Sequence, residues 1–456
     1  MKEMDTYMLS SLPASLAKIT IYTGVVKDEI VNKYSSLIRL LIDQSSKAEE
    51  LMDSYHQVLS MLIQRYGFNG EFSGDLWKNH LINLILADEN VFSMACERGE
   101  YADIPEGLLN IVKSDLLHLH SVFRLDGIFL RDIIKARTEI NELPNWELRP
   151  YNEMGFSILD DNGLRHVDSY IIRRLYSSEC WGQETRLLNE YYYQQGCGIF
   201  NRFRAFRWVQ TNDHEGFLEG VEKPDPIRLK DLIGYERERS LVIQNTLQFV
   251  KGLPCNNILL YGDRGTGKSA SVKAILNEYA SCRLRLVEVS KYHLNNLPKI
   301  MEVLQKRGLN FILFIDDLSF ESDETSYREL KSVLEGGIEA KPRNVVIYAT
   351  SNRRHLIKEY FSERSLSDEV SSQDTMQEKL SLSDRFGITV TFSLPDKETY
   401  LKIVEGLARQ RRLNIDPDEL KAEAVKWEMF YNGRSPRTAR QFIDHMEGKL
   451  KFCRAR

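Results

Sequence analysis

No CxxC pair occurs in the sequence, and its six cysteines, Cys96, Cys180, Cys197, Cys255, Cys282 and Cys453, stand singly along 456 residues. That spacing suits neither a disulfide framework nor a thiolate zinc site, so reduced thiols and a cytoplasmic setting are expected. Long apolar runs are missing as well, and none approaches the roughly eighteen residues a membrane helix needs. The opening MKEMDTYMLSSLPASLAKIT has no continuous apolar stretch and no clear cleavage site, so no signal peptide is expected. Charge of one sign is not in excess. With 61 Lys and Arg against 66 Asp and Glu, a net charge of −5 argues against indiscriminate coating of nucleic acid. His118 and His120 in LLHLHSVF diverge if they lie on a helix, and no Cys or acid stands at ligand spacing. Packing or surface histidines are expected there, rather than a metal site.

What is present is a soluble-type composition, 42% hydrophobic and 28% charged, on a chain too long for one ordinary core. Residues 1 to about 195 carry apolar residues at three- and four-residue spacing, as in SSLIRLLIDQSSKAEELMDSYHQVLSMLIQRYG, broken near Gln44-Ser45-Ser46. Asn145 to Gly163 reads as loop, and helical spacing returns from Val167 to Tyr193. GCGIFNRFRAFRWVQ interleaves Arg202, Arg204 and Arg207 with Phe200, Phe203, Phe206 and Trp208. Such a pattern serves single-stranded nucleic acid, but an amphipathic connector with packed aromatics and solvated arginines is the favoured reading. HEGFLEGVEKPDPIRLKD then marks a boundary.

Beyond it, NNILLYG, LRLVEVS, FILFIDDL, NVVIYATSN and ITVTF are separated by helix-length segments. Almost continuously apolar strands of this kind predict a parallel sheet covered on both faces, hence an α/β class. From Asp396 the pattern is helical to the end. Three domains are expected: a mostly helical one over 1–215, a nucleotide-binding core over 224–395 and a helical lid over 396–456.

The segment Gly262-Asp263-Arg264-Gly265-Thr266-Gly267-Lys268-Ser269 matches a phosphate loop in full, after a strand and before a helix. Its glycines let backbone N–H groups close on phosphate oxygens at a helix N-terminus. Lys268 is expected against the β- and γ-phosphates and Ser269 Oγ on Mg²⁺. FILFIDDLSF ends a strand in Asp316, expected to hold Mg²⁺ through water, and Asp317, expected to polarise the attacking water. Asn352, at the end of NVVIYATSN, is placed to orient that water. ATP and Mg²⁺ are therefore the expected ligands.

Together, the phosphate loop, paired acids, strand-end Asn, the SDRFG segment and a helical GRSPRTAR resemble an AAA+ ATPase over about residues 224–450. More narrowly, QDTMQEKLSLSDRFGITVTF with FIDDLSFE resembles an uncharacterised bacterial AAA+ family known only as a domain of unknown function. The SDRFG and GRSPR forms are similar to those of the Holliday-junction branch-migration motor. The resemblance implies that Leu232, Ile233, Gly234 and Tyr235 lie beside adenine, and that Asn352 is sensor 1. It implies that Arg437 is sensor 2, with Arg440 as second choice. It also implies that Arg385 is an arginine finger acting on a neighbouring copy, so a homo-oligomer is expected. Most relatives carry Asp-Glu where this chain has Asp316-Asp317, and the shorter second acid suggests slow hydrolysis. YFSERSLSDEVSSQDTMQE is an acidic, serine-rich insert that reads as a surface loop and a candidate partner contact. The functional expectation is an ATPase that drives change in an unidentified protein partner. The alternatives are a slow or non-hydrolysing ATP-dependent switch or scaffold, and a DNA-associated loader.

Overall fold

The computed structural model describes residues 3–66, 74–138, 140, 142–147, 169–211, 216–319, 325–335, 342–352, 385–431 and 433–454. Contacts divide the chain into two compact units, Met1–Phe203 and Arg204–Arg456. The division falls before residue 215, the end expected for the helical part, because the chain enters a sheet strand at Ala205.

In the first unit the described elements are helical. They are α1 (Glu3–Ala17), α2 (Thr23–Lys27), α3 (Glu29–Ile42), α4 (Ala48–Tyr66), α5 (Leu76–Ala87), α6 (Val91–Arg98) and α7 (Glu106–Phe123). After these come α8 (Gly127–Thr138), α9 (Ser169–Ser177), α10 (Thr185–Gln195) and α11 (Ile199–Arg202). Helix α3 shows why: Ile30, Val31, Tyr34, Leu37, Ile38 and Leu41 recur on one face and are buried. The Asp28 carboxylate caps its start by accepting from the Ile30 and Val31 amides. Tyr34 stacks on Trp77 with ring centroids 3.6 Å apart. His120 packs against Phe123 and Trp181, its ring half-buried among aromatics. The insert over 360–378 and most of the 145–163 loop lie outside the described residues.

The second unit is built on a seven-stranded sheet in the order β2-β1-β4-β5-β6-β3-β7. The strands are β1 (Ala205–Gln210), β2 (Gly216–Gly220), β3 (Ile258–Gly262), β4 (Leu284–Glu288), β5 (Asn310–Ile315), β6 (Val345–Ser351) and β7 (Ile388–Phe392). Among the described strands of this sheet only the β1–β2 pair is antiparallel; every other pairing is parallel. The α/β class expected from the sequence is borne out. Every residue of β6 is buried, as a central parallel strand requires. Helices α12 (Glu236–Val250), α13 (Lys268–Tyr279), α14 (Leu297–Gln305) and α15 (Thr325–Glu335) accompany the sheet.

Three helices follow β7: α16 (Lys397–Gln410), α17 (Pro417–Phe430) and α18 (Pro436–Arg454). They share a core of Tyr400, Ile403, Leu407, Leu420, Ala439, Phe442 and Ile443, against which Ile233 packs.

The arginine–aromatic stretch resolves by strand alternation. Phe206 and Trp208 of β1 are buried, while Arg207 points outward and pairs with Glu288 at 3.6 Å. Those two rings are packed in the sheet and unavailable for stacking on bases.

Candidate functional site

Strand β3 runs into the phosphate loop, and α13 starts at Lys268 directly after it. Gly262 has φ 139°, and a Cβ there would lie 2.1 Å from the carbonyl oxygen of Phe392 on the neighbouring β7. Only glycine lets the loop leave the sheet so close to that strand. Gly265 and Gly267 also hold positive φ, 79° and 94°. The loop is braced from within: Thr266 Oγ1 donates to the Asp263 carbonyl at 2.8 Å. The Asp263 carboxylate in turn accepts from the Leu394 amide at 3.0 Å.

Lys268 is buried, and its ammonium donates to the carbonyls of Gly262 (2.8 Å) and Asp263 (2.7 Å) and to Asn352 Oδ1 (3.0 Å). Burial pushes this ammonium below the usual lysine range, and the carboxylates of Asp263, Asp316 and Asp317 pull it part of the way back. The Asn352 amide bridges, since its Nδ2 donates to Asp317 Oδ1 at 2.6 Å. Ser269 Oγ donates to Asp316 Oδ1 at 2.6 Å, and Thr350 Oγ1 donates to the same oxygen at 2.5 Å.

Thr350 is a residue the sequence reading did not assign. It also accepts the Asp317 amide at 3.0 Å and so holds both acids. Asp317 itself is left-handed, with φ 52°. Aspartate enters that region far more readily than glutamate. The second Asp of the pair therefore has a backbone reason, and its strain sits at the site itself.

One cavity of about 480 Å³ gathers these groups. Arg264 to Ser269, Asp316, Asp317, Thr350 and Asn352 line it from the core, and Pro436, Arg437 and Arg440 from α18. The Arg437 amide donates to the Gly265 carbonyl at 3.2 Å, which docks the helical end on the loop. A Cβ on Gly265 would stand 3.0 Å from Arg437 Cβ and 3.1 Å from Ser435 Oγ, so that docking depends on glycine. Gly262 and Asp263 sit behind the cavity and act through their carbonyls on Lys268.

Of the residues expected beside adenine, Leu232 also lines the 480 Å³ cavity. Ile233 and Leu232 line a narrow crevice of about 30 Å³ beside Thr266, Gly267, Ile403 and Arg440. Gly234 packs on Ile403. Tyr235 packs at a tilt against Phe392 and donates its hydroxyl to the Ser393 carbonyl at 2.6 Å.

Arg385 is not among the residues lining the cavity. It precedes β7, whose far end, Phe392, is the one paired with Gly262. The strand alone advances about 13 Å, so Arg385 stands near the opposite end of the β3–β7 pair from its own phosphate loop. Its guanidinium pairs with Glu335 at the end of α15. Asp384, its neighbour in the SDRFG segment, lies outside the described residues.

The residues present fit a magnesium triphosphate. They supply hard oxygen donors from Ser269 and Asp316, a buried ammonium, and an α13 N-terminus whose loop glycine Gly267 has nothing within 4 Å of a would-be Cβ.

A mostly parallel sheet with a phosphate loop, two acids at the end of β5 and three helices after β7 defines a P-loop protein of the AAA+ class. A family model described as "Protein of unknown function (DUF815)" matches residues 201–450, more than half of the chain, and the chain belongs to that family. No curated protein matches it. Among solved structures, the Thermotoga maritima RuvB Holliday junction branch migration motor is 17% identical, with a TM-score of 0.36, over 50% of this chain and 67% of that one. A single-residue variant of the same motor is 16% identical at the same TM-score, over 50% and 68%.

Proposed function

We propose that the second unit binds ATP with Mg²⁺ and hydrolyses it, and that it works as a homo-oligomer acting on a protein partner in the cytoplasm. The observation that carries this reading is the convergence of Lys268, Ser269, Asp316, Asp317 and Asn352 on one cavity at the phosphate loop. Lys268, released from the two loop carbonyls, places its ammonium on the phosphates of ATP. Ser269 Oγ and Asp316 hold magnesium, which when bound neutralises charge on the phosphate oxygens. Asp317 and Asn352, already hydrogen-bonded to each other, orient the attacking water, and Asp317 accepts its proton. Arg437 senses the phosphate from the lid. Arg385 completes the site of a neighbouring copy, which its position far from its own loop supports.

A switch that binds ATP and turns it over slowly is the second reading. It is favoured by Asp317, which is one methylene shorter than glutamate and fixed by its own backbone turn. Calorimetry with Mg-ATP tests binding, and no heat on mixing with folded protein would end both readings. Phosphate release measured against protein concentration separates them. A rate per chain that rises with concentration, together with a larger solution mass in ATP, supports the shared-site enzyme. Binding without release supports the switch.

A further inference from the structure

The first unit holds a cavity of about 560 Å³ among α9, α10 and the turn after α6, larger than the one at the phosphate loop. We propose that it binds a cationic side chain, lysine or arginine, of a partner polypeptide. This does not rest on the ATPase reading.

Three features of the lining argue for that chemistry. The walls carry four tyrosines, Tyr101, Tyr170, Tyr191 and Tyr193, and two carboxylates, Glu100 and Glu190. Among the described residues lining it there is no lysine or arginine. Aromatic faces attract a cation through the ring quadrupole, and two nearby carboxylates add a field of the same preference. Tyr101 already shows this affinity within the chain, since the Arg186 guanidinium stands 5.6 Å from its ring centroid.

The second, independent feature is Asn189. It is 6% exposed and lines the cavity, and among the described residues its Oδ1, itself closed to solvent, has no hydrogen-bond partner. A buried carbonyl oxygen left without a donor costs free energy, and what satisfies it is an N–H. An ammonium or guanidinium supplies several N–H donors and no acceptor. An anionic ligand would leave Oδ1 unsatisfied and oppose Glu100 and Glu190. The volume lies within the range of pockets that take a side chain or small ligand between helices of a bundle.

The full chain would be titrated with acetylated, amidated Gly-Arg-Gly, and with the same peptide carrying lysine, glutamate or citrulline in place of arginine. Citrulline keeps the shape and removes the charge. Expected is saturable binding of the arginine or lysine peptide, weakened by salt, with citrulline at least tenfold weaker and glutamate undetectable. Glu190→Gln, an exposed change, should weaken binding about three- to fivefold. Asn189→Ala should weaken it about tenfold or more if the variant melts as the wild type does. Asp317→Asn, at the phosphate-loop cavity, should leave it unchanged. Equal binding of citrulline and arginine, binding of glutamate, no binding of either cation at millimolar concentration, or loss through Asp317→Asn in place of Glu190→Gln would each overturn the proposal.

Discussion

The buried acids of the helical unit and the paired acids of the phosphate-loop cavity are held in different ways. In the helical unit, Asp115 is 1% exposed, and its carboxylate accepts the amides of Thr20 (3.0 Å), Ile21 (2.6 Å) and Tyr22 (3.2 Å). Asp75 accepts the amides of Lys78 (3.0 Å) and Gly127 (2.8 Å). Asp28 caps α3 and takes a 2.8 Å contact from the buried His80, whose other ring nitrogen meets Tyr66 OH at 2.8 Å. In the α/β unit, Asp316 and Asp317 accept mainly from side chains, those of Ser269, Thr350 and Asn352, at the rim of a cavity. A carboxylate bound to backbone N–H groups cannot be redirected without moving the chain, so it fixes a fold. One bound to hydroxyls and an amide can exchange those partners for a ligand by rotating them, so it makes a site.

The largest test of this contrast falls on a charge that the fold holds away from its own site. Arg385→Ala should leave ATP affinity within about twofold and reduce turnover of the assembled protein by roughly 10³–10⁵. A variant with full phosphate release in the assembled state would remove Arg385 from the site altogether. Next in size, Lys268→Ala deletes a buried ammonium expected to make two charge-assisted contacts to phosphate. Mg-ATP affinity should fall by about 10²–10⁴ with no loss of folded protein, since the partners left behind are two loop carbonyls and the Asn352 amide oxygen at the edge of an open cavity. Calorimetry beside a thermal melt measures both, and a melt that collapses while affinity persists would reverse the assignment.

Asp115→Ala is the counterpart in the helical unit. It strands three amides, at least one of them fully buried, and should destabilise that unit by about 3–5 kcal/mol. Denaturant unfolding followed by a probe within residues 1–203 would show it, while nucleotide affinity should stay as it was. A loss below 1 kcal/mol would mean that Asp115 is not a fold-fixing acid.

The same contrast explains what could be read from the sequence. The phosphate loop and the acids after β5 were legible because phosphate binding needs glycines at fixed spacing. The strands themselves were legible because parallel strands buried on both faces must be apolar throughout. The helical faces of α3 and α4, with the break between Ile42 and Ala48, followed from spacing. Strand β1 was missed, although Phe206 and Trp208 alternate with Arg207 at a period of two, because the arginines drew the stretch toward a solvated connector. Thr350 carried no signal of its own, and its bonds to Asp316 and Asp317 exist only once β5 and β6 pair. Ile233 packs on Gly406 of α16, and the Asp115 amides lie more than ninety residues upstream of their acceptor. No local pattern encodes such partners.

The smallest effect is one of pH, and it follows from how deeply Asp75 is held. Burial pushes its carboxyl up to about 6, against the pull of the Lys78 and Gly127 amides, which favour the charged form. For an acid whose folded pKa lies above its unfolded one, the cost of burying the charge is carried in full at neutral pH. As pH falls through about 6, the folded state takes up a proton that the unfolded chain accepts only near 4, so this group's contribution to stability rises with acidification. By pH 5 the gain is about 1 kcal/mol. Asp28 runs the other way: its carboxyl is lowered despite burial, by the His80 hydrogen bond and charge among other partners, and its contribution fades at still lower pH. His80 is held below the usual histidine range by burial, so acid also works against the fold there. The difference between wild type and Asp75→Asn removes both of these shared terms. Asparagine offers one acceptor oxygen to two amides, so the variant should be weaker at pH 7, and the gap in unfolding free energy should widen by about 1 kcal/mol on moving to pH 5. A gap that stays constant or narrows would show that Asp75 is already satisfied as a charged group, with its buried position adding nothing to the pH response of the helical unit.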